Sequence, residues 1–440
     1  MRFVLSKLFG SPSYMIGACC VLAILLLGIT TPEYLKYWYI LLAMTLMNLF
    51  LYNPIVTHYS GMVFRWLYVG MFVSVFAVEF SALVVPYFSW NPFFRSVVTS
   101  LVLTYVLFMQ FVVAALGIGC LHRWYCQSRG GIFSVEVQKR YLTVAFSGLA
   151  VLWLCYFVGM FYGKNHVVVR QVSLPMASLP SAFDGYRVVQ ISDLHSGSMY
   201  NPATMQAVVD SVSALNPDLV AVTGDVVTLG SSELKPYLSI LSQLKATDGV
   251  FAVLGNHDYC RYPFFPNSAC KTADSLSLIG MITDSLGWKL LNDECYFVVR
   301  GADTIAIAGT QYIGLPSLSK IKLFGDNPYS YGNLSKALAH AGGGTVLLLT
   351  HNPVVWSREV IQKYPFVDLT LAGHTHAGQM GLYWKKYANQ TVQYNDKTKA
   401  GLYHHNNQYL YINAGIGTSA MHSRFLILPE VTLITLRHEH

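Results

Sequence analysis

Apolar and polar positions follow two different rhythms along the chain. Over the first part, apolar residues come in long runs, Tyr14 to Thr30, Tyr37 to Val56, Trp66 to Phe88, Ser96 to Leu121 and Tyr141 to Gly163, and only the third holds a charged residue, Glu79. A bilayer core needs about 20 consecutive apolar residues at 1.5 Å rise per residue. The rhythm therefore predicts five membrane spans in an α-helical anchor domain over residues 1–165. Arg2 and Lys7 give the first run the look of a signal peptide, with Ile16-Gly17-Ala18-Cys19 as cleavage box; the apolar run follows Cys19, however, and the segment reads as an anchor. Glu79 has no basic partner in a neighbouring span and reads as a protonated or hydrogen-bonded packing residue.

After Gly163 the apolar runs shorten to strand length and alternate with amphipathic segments. Strands are predicted at Tyr186 to Ser192, Leu219 to Thr223, Val250 to Leu254, Thr304 to Ala308, Thr345 to Thr350, Phe366 to Leu371, Gln408 to Ile412 and Val431 to Arg437. Helices are predicted at Ala203 to Leu215 and Leu234 to Leu244. Strands alternating with helices make residues 166–440 an α/β domain.

Composition sharpens the division. The chain has 440 residues, 53% hydrophobic and only 12% charged, against about 25% charged in a soluble protein. Its net charge of +7 lies entirely in residues 1–165, and residues 166–440 hold equal numbers of basic and acidic side chains. A neutral water-soluble half argues against nucleic acid as a partner. Integral membrane association is the predicted localisation.

The candidate chemistry sits at strand ends. Asp193-Leu194-His195 follows the first predicted strand, Gly224-Asp225 the second and Gly255-Asn256-His257-Asp258 the third, while His351 and Gly373-His374-Thr375-His376 follow two later ones. Open α/β sheets place ligands at the carboxyl ends of their strands. On an extended segment residues i and i+2 point to one side, so Asp193 with His195, and His374 with His376, are each expected to converge on one point. Carboxylates, a carboxamide and imidazoles without thiolate suit Mn, Fe, Zn or Co rather than a structural zinc site. A carboxylate shared by two cations about 3.5–4 Å apart lets them clamp attacking and leaving oxygens of a phosphoryl displacement and lower the pKa of a water.

These motifs, in this order and spacing, resemble the calcineurin-like metallophosphoesterase superfamily. Leu179-Pro180, Phe183-Asp184-Gly185, Gly378-Gln379, Gly415-Ile416-Gly417-Thr418-Ser419 and Arg424-Phe425 resemble its membrane-associated bacterial phosphodiesterase branch. The resemblance implies a four-layer α/β/β/α sandwich with a two-metal centre. Carried over, Asp193, His195, Asp225 and His376 would hold one ion and Asp225, Asn256, His351 and His374 the other. His257 would face the substrate as general acid or hydrogen-bond donor, with Asp258 orienting its ring. Ala377 and Thr228 depart from the branch pattern, where glycine and an acidic residue are usual.

Other readings stay open on the sequence. Arg424 suits a substrate phosphate or a surface ion pair, and Lys385, Lys386, Lys397 and Lys399 suit a solvated face or a loop at a membrane or substrate surface. Cys260 and Cys270 bracket a short loop and form either a disulfide or two free thiols. The leading function is a membrane-anchored phosphohydrolase of a phosphodiester or phosphoanhydride in an envelope or lipid-linked substrate. The alternatives are a pyrophosphohydrolase of a nucleotide-activated glycolipid precursor of the UDP-diacylglucosamine type, and a transporter or sensor with an accessory phosphoesterase module. With five spans, Arg2, Lys7, Arg65, Arg123, Arg129, Lys139 and Arg140 share one side against Lys36, Arg95, Lys164 and Arg170. The positive-inside bias then puts the catalytic domain outside the cytoplasm.

Overall fold

A computed structural model describes residues 92–132, 134–260, 267–314, 330–381, 400–419 and 421–439, together with 69–70, 73 and 76–77. The predicted spans Tyr14 to Thr30 and Tyr37 to Val56, nearly all of Trp66 to Phe88 with Glu79, and all four lysines of the polar insertion lie outside the described residues. The chain divides into two compact units, Met1–Leu154 and Cys155–His440.

In the first unit, helix α1 (Pro92–Ser128) takes in the fourth predicted span and helix α2 (Val135–Phe161) carries the fifth into the second unit. His122 Nδ1 lies 2.8 Å from the Tyr141 hydroxyl and joins the two helices. Among the described residues one helix, Lys139–Asn165, meets the length and hydropathy of a membrane crossing, with a mean hydropathy of 2.0. The expectation of five spans is not supported in number: one such helix is described, and most of three predicted spans falls outside the described residues. Val144, Val151 and Leu154 are more than half exposed on α2, an apolar face that water alone would not stabilise.

The second unit is built from twelve described strands: β1 (Val168–Met176), β2 (Arg187–Ile191), β3 (Leu219–Thr223), β4 (Gly249–Val253), β5 (Lys289–Leu290), β6 (Glu294–Arg300), β7 (Asp303–Gly309), β8 (Thr345–Leu349), β9 (Leu369–Ala372), β10 (Gly401–His405), β11 (Gln408–Ile412) and β12 (Glu430–His438). They form two six-stranded sheets, ordered β1-β12-β2-β3-β4-β5 and β10-β11-β9-β8-β7-β6. The middle strands β2, β3 and β4 run parallel, as do β7, β8, β9 and β11. All eight predicted strands are present.

Alternation along the middle strands explains the layers. Val188, Leu219, Ala221 and Phe251 of the first sheet meet Ile307, Leu347, Leu349 and Leu371 of the second in a buried core between the sheets. The opposite parity, Val189, Val220 and Val222, packs under Met205, Val208 and Val212 of helix α3 (Pro202–Ala214). On the second sheet Val346 and Leu348 pack under Leu334, Trp356 and Val360. The result is helix, sheet, sheet, helix. The Asn201 side chain accepts from the Ala203 N–H and Pro202 opens α3, a standard start for a helix. The helix expected over Leu234 to Leu244 is instead a 3₁₀ turn, Lys235–Tyr237, and a single α-turn, Leu238–Leu241, because Pro236 cannot donate to the helical ladder.

Candidate metal centre

The carboxyl ends of five middle strands meet at one pole of the sandwich. Asp193 and His195 leave β2, Asp225 leaves β3 and Asn256 leaves β4, while His351 follows β8 and His374 and His376 follow β9. The loops are not extended as expected. Asp193 (φ 49°), His195 (φ 41°), Asp225 (φ 53°), His374 (φ 71°) and His376 (φ 49°) all adopt left-handed backbone, a conformation that costs side-chain-bearing residues about 1–3 kcal/mol and clusters at functional sites. Gly224 precedes Asp225 at φ +91°, where a Cβ would lie 2.7 Å from His351 Nδ1. These five residues lie in three turns, after β2, β3 and β9.

Two clusters share one carboxylate. In the first, His195 Nε2 lies 3.1 Å from His376 Nε2, which lies 3.4 Å from Asp193 Oδ1. In the second, His351 Nε2 lies 3.2 Å from His374 Nδ1. Asp225 Oδ2 stands between them, 3.1 Å from His351 Nε2 and 3.5 Å from His195 Nε2. His374 and His376 thus part to different clusters, a correction to the expectation that they converge on one point. Asn256 is buried at the head of its loop, next to His257, whose N–H donates to Asp225 Oδ1 at 2.9 Å.

Supporting hydrogen bonds fix these groups from outside. Ser192 Oγ donates to Asp193 Oδ2 at 2.6 Å, and the His374 N–H donates to the same oxygen at 3.0 Å. His351 Nδ1 donates to the Thr223 carbonyl at 2.7 Å, which orients the ring with Nε2 toward Asp225. Burial holds His195 and His376 well below the ordinary histidine range and His374 at about 3, with neighbouring cationic side chains adding to the effect. Those rings are neutral. Burial alone would raise Asp225, but His351 and His257 outweigh it and keep the carboxyl well below its usual range. Burial would likewise lower His351, yet the Asp225 and Asp193 charges lift it to about 10. An ionised carboxylate facing ring nitrogens at 3.1–3.5 Å, with no thiolate in any of the three described clusters, fits divalent cations in the place that a proton otherwise takes.

Of His257, Asp258 and Arg424, only Arg424 takes a place that differs from the sequence expectation. His257 Nδ1 meets the Thr228 carbonyl at 2.6 Å, and its ring stands edge-on to His195 with centroids 4.8 Å apart. His195, Asp225 and His257 also lie within common reach of an ion. The Asp258 carboxylate accepts from Val227 N–H at 3.1 Å and Gly255 N–H at 2.9 Å, tying the β3 loop to the β4 loop. Burial, then the charge of Asp225, pushes Asp258 up to about 7. Arg424 is neither a surface residue nor open to a substrate phosphate. It is fully buried, donating from Nε to the Gly417 carbonyl at 2.8 Å and from Nη2 to the Ala414 carbonyl at 3.0 Å, with Nη2 3.2 Å from His376 Nδ1.

The candidate disulfide does not form: Cys260 is a buried free thiol and Cys270 an exposed one. Other residues at the site carried no signal in the sequence. Glu233 accepts from the Thr228 and Leu229 N–H groups at 2.8 and 2.9 Å, holding the loop that presents the Thr228 carbonyl. The Tyr312 ring sits about 6 Å from both His351 and His374.

Comparison with known proteins agrees with this geometry. The calcineurin-like phosphoesterase family matches residues 186–378, a span that includes all seven expected metal ligands. The metallophosphoesterase YkuE of Bacillus subtilis is 26% identical over 280 residues, covering 63% of this chain and 88% of that one. A zebrafish protein named transmembrane protein with metallophosphoesterase domain is 30% identical over 216 residues, 48% of this chain and 45% of its own length. UDP-2,3-diacylglucosamine pyrophosphatase LpxG of Chlamydia trachomatis is 28% identical over 310 residues, 60% of this chain and 88% of that one. Residues 186–378 thus carry a calcineurin-like metallophosphoesterase domain, which together with these relatives marks the chain as a metal-dependent phosphoester hydrolase.

Proposed function

We propose that the protein is a membrane-anchored phosphohydrolase that uses two divalent ions, Mn, Fe, Zn or Co, to cleave a phosphodiester or phosphoanhydride in an envelope or lipid-linked substrate. The observation that carries this reading is Asp225 Oδ2, within 3.5 Å of ring nitrogens from both clusters. Asp193, His195, Asp225 and His376 would hold one ion, and Asp225, Asn256, His351 and His374 the other. Such a pair supplies charge stabilisation to the transferring phosphoryl group and an activated water. His257, held by its Nδ1 contact with the Thr228 carbonyl and standing edge-on to His195, is placed beside the centre to act as general acid or hydrogen-bond donor to the leaving oxygen.

The apolar stretch Lys139–Asn165 supports a substrate drawn from a membrane. The relatives named UDP-2,3-diacylglucosamine pyrophosphatase favour, as second reading, a pyrophosphate joined to a nucleotide-activated glycolipid. A complete set of converging ligands weighs against a merely accessory module in a transporter or sensor. The Lys and Arg bias supports a catalytic domain outside the cytoplasm, where a cytosolic nucleotide-linked lipid would not reach it.

The test is the full-length protein in detergent, stripped and reloaded with Mn²⁺, given a phosphomonoester, a phosphodiester and UDP-2,3-diacylglucosamine. Metal-dependent cleavage of the diester or the pyrophosphate is expected. Turnover that survives exhaustive chelation, or turnover of the monoester alone, overturns the reading. Reporter fusions after Arg170 decide the side of the membrane.

A further inference from the structure

The catalytic unit starts before its first strand, in the last turns of α2. A helix leaves its final four carbonyls without intrahelical partners, and here each finds one. The Val158 carbonyl accepts from Tyr162 N–H at 2.9 Å and the Phe161 carbonyl from the Asn165 side chain at 2.8 Å. The other two are taken by the loops of the metal centre: Gly159 by Arg424 N–H at 3.2 Å, and Met160 by the Tyr200 hydroxyl at 3.0 Å. One turn earlier, Ser423 Oγ donates to the Tyr156 carbonyl at 2.8 Å.

The fit depends on missing side chains. A Cβ on Gly159 would lie 2.9 Å from the Arg424 carbonyl carbon, and one on Gly163 3.0 Å from the same atom, so helix backbone rests directly on loop backbone. Lys164, buried just beyond, donates to the Ser198 carbonyl and stands 4.5 Å from the centre of the Tyr200 ring.

Both loops lead straight to metal ligands. Arg424 reaches His376 Nδ1. Ser198 N–H donates to the His195 carbonyl at 2.7 Å, and Ser198 Oγ accepts from Thr418 N–H at 3.0 Å. We propose that the last turns of α2 position the metal centre: Gly159, Met160 and Gly163 fix the Arg424 and Ser198–Tyr200 loops, and through them the rings of His376 and His195. The helix is then a working part of the site rather than a tether. This rests on the reading of that cluster as a metal site, and the two can fail separately.

Gly159→Leu in the full-length protein, purified in detergent and titrated with Mn²⁺, is the test, read by metal stoichiometry, by the Co²⁺ absorption spectrum and by kcat against KM. Loss of a partner to a metal-bound ring typically weakens binding about 10–100-fold. The expected result is a loss of that size for one ion with the other retained, an altered Co²⁺ spectrum, and a fall in kcat at unchanged KM. Tyr200→Phe removes one hydroxyl and no bulk, and serves if Gly159→Leu does not fold. It should shift the same ion by about two- to fivefold. Wild-type affinity, spectrum and kcat in the folded variants overturn the proposal. If the wild type binds no ion, the metal reading itself fails; if it binds one, a shifted affinity in Gly159→Leu still upholds the coupling.

Discussion

The two sheets contribute unlike chemistry to one site. Loops of the first sheet bring Asp193, His195, Asp225 and Asn256, and with them every carboxylate of the three clusters; loops of the second bring His351, His374 and His376, imidazoles only. The first sheet supplies charge and the second supplies neutral donors that burial keeps unprotonated, His351 excepted. Two of the three clusters draw their side chains from both sheets. The centre therefore depends on bonds that cross between the sheets. Gln190 of β2 donates to the Ala372 carbonyl of β9 at 2.9 Å, His351 meets the Thr223 carbonyl, and the His374 N–H reaches Asp193.

The largest effect should come from the charged half. Asp225→Asn removes the carboxylate common to both clusters, and we expect loss of both ions and a fall in turnover of more than about 10⁴-fold. His374→Ala, on the neutral half, should cost one ion only. Elemental analysis of the two purified variants decides it, and equal losses in both would erase the distinction between the sheets.

His257 comes next. Its alanine variant should keep both ions and lose about 10²–10⁴-fold in kcat, the usual contribution of a general acid. Metal loss instead would make His257 a third ligand beside His195 and Asp225, and shift more of the binding to the first sheet.

What the sequence disclosed follows the same line between regular strands and their ends. The eight strands it predicts are inner strands, buried on both faces, and so written as continuous apolar runs. The four it missed, β1, β5, β6 and β10, are the four sheet edges. There one side meets solvent and the pattern breaks: β1 mixes Arg170, Gln171 and Ser173 with valines and carries Pro175, and β6 leaves Tyr296, Phe297 and Val299 exposed. At the site the side chains that gather, and their order along the chain, were legible. The left-handed turns were not, because aspartate and histidine do not announce them. The Nδ1 partners of His351 and His257 are backbone carbonyls, which leave no mark in a sequence, and Arg424 reaches His376 only because the chain returns from far along its length.

A pH titration sharpens the one exception on the second sheet. In the metal-free protein His351 is raised to about 10, above its unfolded value of about 6.5. The stability this gives is complete below about pH 6.5 and is lost as pH rises through about 10. A cation must displace that proton, so affinity at the second cluster should rise about tenfold per pH unit below about pH 10. Calorimetry in buffers of different ionisation enthalpy measures the released proton directly. A pH-independent affinity would mean that Asp225 pairs with something other than His351.

The smallest effect is expected at Asp258, where catalytic and supporting roles predict opposite outcomes. Its carboxylate takes two backbone donors, Val227 and Gly255. In Asp258→Asn one oxygen can still accept, but the amide nitrogen faces an N–H, leaving a buried donor unsatisfied at a cost of about 1–3 kcal/mol. Chemical denaturation should therefore register the change, while His257, held by Thr228, keeps its orientation and kcat falls far less than in His257→Ala. If kcat collapses as far as in His257→Ala and stability stays put, Asp258 orients the histidine after all, and the carbonyl of Thr228 is a bystander.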